Sequence, residues 1–401
     1  MANESLHTAV SAFIPDIWEM VLDYAEHNFV MPRLVTVFND WSGMTPRKVT
    51  EYGETGMGTG LGEIEELPTY AIERDLLATL TPAEIGKQYV LSYRRLETDD
   101  APVYADAVMQ LGYAAGRQVE EDLLGLFSSL GLAELGARGS AFSMDHAFEA
   151  RALLNARAIP GGRAMVIHPY QYLDIAKTYI SPSNTPVDSL RERVASSYQI
   201  VNVGGVTMVV SSLVPRFHDN LEWEVATTGT PTGGTFTVTI AQSDVGEPGV
   251  GASKTITVAY NASNTDLQTA IRALERSNSV PDGLVGVSAV TVTKASTTWT
   301  IAFTEATRAN ITITADGTAL TGGTSPTATA TKSVAGQIFA RGAYFDKTAL
   351  ALDWRRSLLI EPDPDPSRRL IELNMSAVYA KGTWRANYGV PVVSDATAPN
   401  E

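Results

Sequence analysis

The residues best placed to do chemistry begin with a glycine run. GMGTGLG sets Gly56, Gly58, Gly60 and Gly62 close together, just after Gly53. Glycines at such spacing cradle phosphates in dinucleotide-binding loops, where a G-x-G-x-x-G turn joins a buried strand to a helix. Here the third glycine falls on Leu61 counted from Gly56, and on Glu63 counted from Gly58. No buried strand precedes the run and no helix follows to give the glycines a phosphate to cradle, so a flexible interaction loop is the reading favoured over a cofactor site. Glu65-Glu66 and Glu120-Glu121 are adjacent pairs whose side chains diverge on a strand or helix, which makes them solvated faces rather than an acid and base pair. His168, in VIHPYQY, stands alone at a strand end as a packed or capping residue. Asp363 and Asp365, between Pro362, Pro364 and Pro366, could bind a cation, although a stiff exposed turn accounts for them more simply. There is no G-x-S-x-G elbow, H-E-x-x-H or P-loop. Zero cysteines remove thiolate nucleophiles, disulfides and Cys-type zinc sites. The sequence therefore predicts no enzyme: no catalytic residue, no cofactor and no metal.

Composition narrows the class further. With 401 residues and 44% hydrophobic content, the chain is expected to hold two or three domains with real cores. A formal charge of -15 argues against a nucleic-acid-binding surface as the main task, since such surfaces cluster Lys and Arg against phosphates. No apolar run approaches the ~20 residues of a membrane span, and MANESLHTAV lacks the basic and apolar blocks of a secretory signal.

The elements are organised around one long pattern. From Pro102 to Leu130, Tyr104, Val108, Leu111, Ala115, Val119, Leu123, Phe127 and Leu130 recur three or four residues apart. That spacing predicts a single helix spanning roughly 40 Å, with Arg117, Glu120 and Glu121 facing away from the stripe. Asp99-Asp100 before Pro102 suits its start. Before it, Ile17, Trp18, Val21, Leu22, Ala25 and Phe29 predict a short amphipathic helix stopping near Pro32, with a strand over Leu34–Phe38. Between Trp41 and Tyr93 the glycine-rich excursion is enclosed by strand-like ends. After the long helix, Ala147, Ala150 and Leu154 mark a helix, Ala164–Ile167 a buried strand, and Tyr172, Leu173, Ala176 and Ile180 a second helix. YQIVNVGGVTMVV reads as a hairpin turning at Gly204-Gly205.

Composition shifts to Thr, Gly, Ser and Val near Leu221 and shifts back near Gly336. Phe236/Val238/Ile240, Ile256/Val258/Tyr260, Val290/Val292, Trp299/Ile301/Phe303 and Ile311/Ile313 alternate as strands. Ser263 and Asp266 sit in capping-box spacing before a helix with Leu267, Ala270, Ile271 and Leu274 on its buried stripe. These residues predict an inserted domain. Beyond it, FARGAYFDKTALALDWRRSLLIE is expected to give a helix and a strand, the three prolines to break regularity, and Ile371, Leu373, Met375 and Ala377 to alternate along a long strand. That strand is expected to cover the apolar stripe of the long helix.

The order of these elements, with VIHPYQYLDI, VSSLVP, AYFDKTALALDWR and VYAKGTWRANYGVPVV, resembles a tailed-bacteriophage major capsid protein of the Hong Kong 97 type. The resemblance covers about 1–216 and 337–393. It implies an α+β fold with an N-terminal arm (1–40), an extended loop (41–93), a spine helix with peripheral domain (94–142) and an axial domain in two parts (143–220 and 337–361). A β-rich insert (221–336) and a peripheral strand with C-terminus (362–401) complete it. The implied function is self-assembly into an icosahedral shell enclosing double-stranded DNA, in the virion, with assembly in the host cytoplasm. The implied partners are further copies of the chain in hexamers and pentamers, DNA held weakly, and portal, scaffolding and decoration proteins. Inter-subunit contacts are expected at Trp18, Phe29, Lys48, Gly53, Gly56, Gly58, Gly60 and Gly62. Some relatives cross-link through lysine and asparagine; Lys48 is the lysine nearest the glycine run and the sequence shows no matching site, so no cross-link is expected.

The insert separately resembles a module of phage structural and bacterial surface proteins, through GGTFTVTI, ITVAYNASNTDLQTAIRAL, WTIAFT and ADGTALTGGTSPTATAT. The insert is expected on the outer surface of the capsomer. The rival reading is a phage tail or cell-surface adhesion protein built with the same module.

Overall fold

The computed structural model describes residues 30–40, 43–52, 74–98, 103–159, 162–180, 200–203, 205–243, 253–275, 283–284, 286–303 and 310–399. Among them strands far outnumber helices, because most apolar residues alternate at period two and few stretches keep the helical period.

A four-stranded sheet has the order β1 (Thr36–Phe38), β17 (Leu350–Asp365), β18 (Leu370–Thr383) and β4 (Ala83–Ser92). After β4 comes the short α2 (Tyr93–Thr98), and across one face of the sheet lies α3 (Val103–Gly125), which continues as a 3₁₀ turn over Leu126–Ser129. Val108, Leu111 and Ala115 of α3 pack on Leu358 and Ile360 of β17 and on Ile371, Leu373, Met375 and Ala377 of β18. The long stripe and the alternating strand thus meet as their spacing predicts. Further along, Val119, Leu123, Leu124 and Phe127 enter a second cluster shared with Met31, Val35, Phe345 and Leu350.

A nine-stranded sheet runs β12 (Val290–Ala295), β13 (Thr298–Phe303), β9 (Arg216–Thr228), β16 (Thr327–Asp346), β6 (Arg163–Ile167), β8 (Val206–Val210) and β7 (Ile200–Val203). Beside β16 lies β19 (Gly389–Asp395), which also pairs with the short β5 (Leu135–Gly136). Two helices, α4 (Met144–Ala156) and α5 (Pro169–Ile180), flank this sheet. Met144, Ala147, Ala150 and Leu154 of α4 pack with Ile175 of α5 and Met165, Ile167 and Met208 of the strands.

At its far end the sheet carries a sandwich. Facing β9, β12 and β13 is a second layer of β11 (Ser253–Ala259), β10 (Gly233–Ser243) and β14 (Asn310–Asp316), with β15 (Leu320–Thr321) on β10. The helix α6 (Asn264–Arg272) begins with the reciprocal capping box of Ser263 and Asp266. It seals the outer edge of the sheet: Arg272 donates to the Val290 carbonyl, and the Val292 N–H donates to Gln268. The sandwich core runs from Leu221 to Ala328 with Ala330 packed against it, and among the described residues it draws on none outside 221–336.

The structure departs from the sequence reading in four places. No helix follows the sandwich: β16 turns at Asp346, whose carboxylate accepts from the Thr348 N–H, and β17 begins at Leu350. Ala349 to Asp353 are buried on both sides, so the alternation that identifies a strand is lost and TALAL imitates a helix. The chain therefore changes sheets at 347–349 rather than at 361, and β19 returns the C-terminal segment to the nine-stranded sheet. Pro362 and Pro364 do not break β17, which pairs through Pro362↔Leu373 and Pro364↔Ile371 and ends at Asp365, just before Pro366. Placed at alternate positions on a strand that β1 covers only over Ala351–Asp353, they lack a donor where none is needed. Near the N-terminus Pro32 lies in the first turn of α1 (Met31–Leu34), so a short helix opens there; the helix expected over Ile17–Phe29 lies outside the described residues. Finally, the extended loop is in part regular: β2 (Arg47–Tyr52) and β3 (Arg74–Leu80) form an antiparallel hairpin, and β4 belongs to the first sheet.

Candidate assembly surfaces

The hairpin of β2 and β3 is anchored at its root and bare further out. Val49 and Leu80 are buried against Ala351 and Ala380, with Phe38 and Trp384 packed beside them. Arg47 Nε donates to the Asp353 carboxylate at 2.9 Å, and Arg47 also pairs with Asp40. The Arg47 guanidinium lies 4.7 Å from the centre of the Phe38 ring. Asp353 holds a second partner, Arg355 Nη2 at 2.7 Å, and both of these side chains are closed to solvent. The hydrogen bond from Arg47 holds Asp40 below the usual carboxylate range. Beyond this root Leu76 and Leu77 of β3 are exposed, as is Met44. Lys48 lies exposed on β2 opposite Thr79. Trp18, Phe29, Gly53, Gly56, Gly58, Gly60 and Gly62 lie outside the described residues.

A groove of ≈520 Å³ runs between α3, α1 and β17. Gly112, Ala115 and Gly116 keep the helix side low, and Pro32, Arg33, Trp354 and Leu358 form the opposite walls. Beside it the structure corrects the solvated reading of Glu120, which is 1% exposed. Its Oε2 accepts the Met31 N–H at 2.8 Å. Burial pushes this carboxyl up to about 7, against the opposing pull of the Met31 and Val30 N–H groups and the Ser211 hydroxyl. Glu121 does face outward, paired to Arg117 at 2.8 Å.

The remaining candidates resolve into packing. His168 is buried; its Nδ1 accepts the Tyr170 N–H at 3.2 Å, and its own N–H donates to Gln171. Burial, and then the nearby charge of Arg216, pull it down to about 4. Gln171 in turn donates to the Ala340 carbonyl and to Ser394, tying α5 to β16 and β19. Asp365 accepts from Ser367 and from the Arg368 N–H, the capped turn expected of that stretch. Among the described residues no group of His, Asp and Glu could hold a metal ion.

Two further surfaces complete the picture. On α4, Phe148 and Leu153 are exposed on the side away from the core. At the root of the β9–β16 ribbon, Phe217 and Phe339 stack with centroids 5.3 Å apart. Arg341 lies 5.2 Å from the Phe217 ring, and Arg138 lies 4.8 Å from the Phe339 ring. Arg341 is held by Glu134 at 2.8 Å, and Arg138 pairs with Asp219. Sequence reasoning missed this clamp and the Asp353 cluster, because each joins residues far apart in the chain.

Beam, hairpin and paired sheets define a class. Residues 77–262 match a family model described as phage capsid protein. Among solved structures, the chain is similar to one from Mycobacterium phage Che8, at 11% identity over 91% of this chain and 90% of that one, with a TM-score of 0.50. It is similar also to the capsid structure of the cyanophage P-SCSP1u, at 11% identity over 92% and 89% of the two chains, with a TM-score of 0.51. None of the curated proteins compared matches. The structures give the fold, which is that of tailed-phage capsid subunits of the Hong Kong 97 type. The family match adds the role: this is a major capsid protein, a shell-forming structural protein of a virion.

Proposed function

We propose that copies of this chain assemble as hexamers and pentamers into a closed icosahedral shell around double-stranded DNA, after synthesis in the host cytoplasm. The observation that carries this reading is the hairpin, held at its root by Asp353 while Leu76 and Leu77 face solvent within a single copy. Apolar surface of that kind is covered at low cost by a neighbour. The N-terminal arm, with Trp18 and Phe29, and the glycine-rich segment from Gly53 to Gly62 are taken to reach neighbouring subunits too. Phe148 and Leu153 of α4 are taken to meet copies around the capsomer axis. Residues 221–336 are read as an inserted, outward-facing domain; the self-contained core from Leu221 to Ala328 supports that reading. Portal, scaffolding and decoration proteins are the further partners proposed. A charge of -15 suits a lining that holds DNA loosely.

Negative-stain imaging of the expressed protein tests the proposal directly. Closed shells of uniform diameter are expected. Fibres or tubes would instead favour a tail or adhesion protein, and strong, salt-sensitive DNA binding by the purified chain would overturn the loose lining.

A further inference from the structure

Glu120 stands where three parts of the molecule meet. It projects from the middle of α3 and accepts from the start of α1, and Ser211 beside it belongs to the segment that leaves β8. Met31 and the neighbouring Val119 and Leu123 belong to an apolar cluster with Val35, Val209 and Val214. Its Oε1 is buried with no hydrogen-bond partner. The charges on the elements around it are engaged elsewhere. Arg117 and Glu121 pair with each other, Asp122 is held by Tyr379 and Lys381, and Arg216 lies over the Tyr170 ring. Arg33, on α1, lines the groove. Among the described residues no cation balances a negative charge at Glu120, so ionisation there leaves a buried anion supported by N–H and hydroxyl donors.

We infer that Glu120 is a proton-controlled latch: with its carboxyl neutral the root of the N-terminal arm stays docked on the spine helix, and on ionisation the root is released. This goes beyond the shell-forming role, since it concerns the single subunit. Release would separate α1 from α3 and enlarge the groove that Pro32 and Arg33 wall off. The sign follows from linkage. The docked carboxyl binds its proton more tightly, near 7 against an ordinary value of 4.5. Docking is therefore strongest below about pH 4.5, weakens as pH rises, and levels off above about pH 7.

Amide hydrogen exchange of the full chain at Val30 to Leu34 tests the latch, after correction for the intrinsic rise of exchange with pH. Protection in the wild type should fall at least roughly tenfold between pH 5 and pH 7.5, the weight of one pKa unit. Glu120→Gln, neutral and of the same shape, should keep its protection across that range. Ser211→Ala, which removes a donor to the ionised form, should weaken protection at pH 7.5 more than at pH 5. Parallel pH profiles for the wild type and Glu120→Gln would overturn the latch. If Glu120→Gln does not fold, equal loss of protection at the two pH values in Ser211→Ala would overturn it as well. Neither result bears on whether shells form, which imaging decides separately.

Discussion

At the scale of single residues, the chain places a buried, shared carboxylate where the hairpin joins the four-stranded sheet. Asp353 is closed to solvent and shared by Arg47 from the hairpin and Arg355 from its own strand. Asp353→Ala would strip that shared carboxylate from both guanidinium groups, and should destabilise the fold by about 3–5 kcal/mol, read from chemical or thermal unfolding. Arg47→Ala should cost less, because one partner of Asp353 stays, yet should raise proteolytic nicking of the hairpin. The stripe of α3 is tested more simply: a charge at Leu111 or Leu123, both fully buried, should abolish soluble folding and shells together. That stripe was legible in the sequence because its residues repeat at helical spacing within one segment. Glu120 was not. Its position puts it at the margin of the stripe, and only the arrival of Met31, from 89 residues away, turns an ordinary helix-surface glutamate into a buried acceptor. The Asp353 cluster was hidden for the same reason, with Arg47 lying 306 residues from its partner.

Among elements, local periodicity was a sound guide wherever one face of an element is wet. It gave α3, α4, α5, the capping box of α6 and the alternating strands of the sandwich. It failed at Ala349 to Asp353, where both faces are covered, and at Pro362 and Pro364, where edge position makes proline harmless. The β9–β16 ribbon shows what pattern cannot reveal. Both strands cross the compositional boundaries at 221 and 336 without interruption, and only their register shifts, between Lys332 and Val334. Gly336 sits in the ribbon at φ +76°, and a Cβ there would come 2.7 Å from the Asp219 carbonyl oxygen. Gly336→Ala should therefore cost about 1–3 kcal/mol and lower the Tm, while an alanine at the neighbouring Gln337 should change little.

For the whole molecule, the question is how much of the chain the shell needs. Because the described residues of the sandwich core, Ala330 included, all lie within 221–336, removing that span takes the core away intact. Asp219 and Gln337 are direct partners across the ribbon, so a tight Asn-Gly turn can rejoin the cut ends. Shells are expected from this deletion, seen by imaging; soluble chain that never assembles would show that the sandwich braces its neighbours. The unbroken ribbon also fixes how force would pass through such a wall. β16 is gripped below the sandwich by β19 from Phe339 to Phe345 and by β6 from Ala343 to Asp346. A tug on the sandwich is thus resisted as shear over many backbone hydrogen bonds loaded side by side, not unzipped one at a time. The bulge beside Val334, where the ladder is interrupted, is the point at which the strut should yield first.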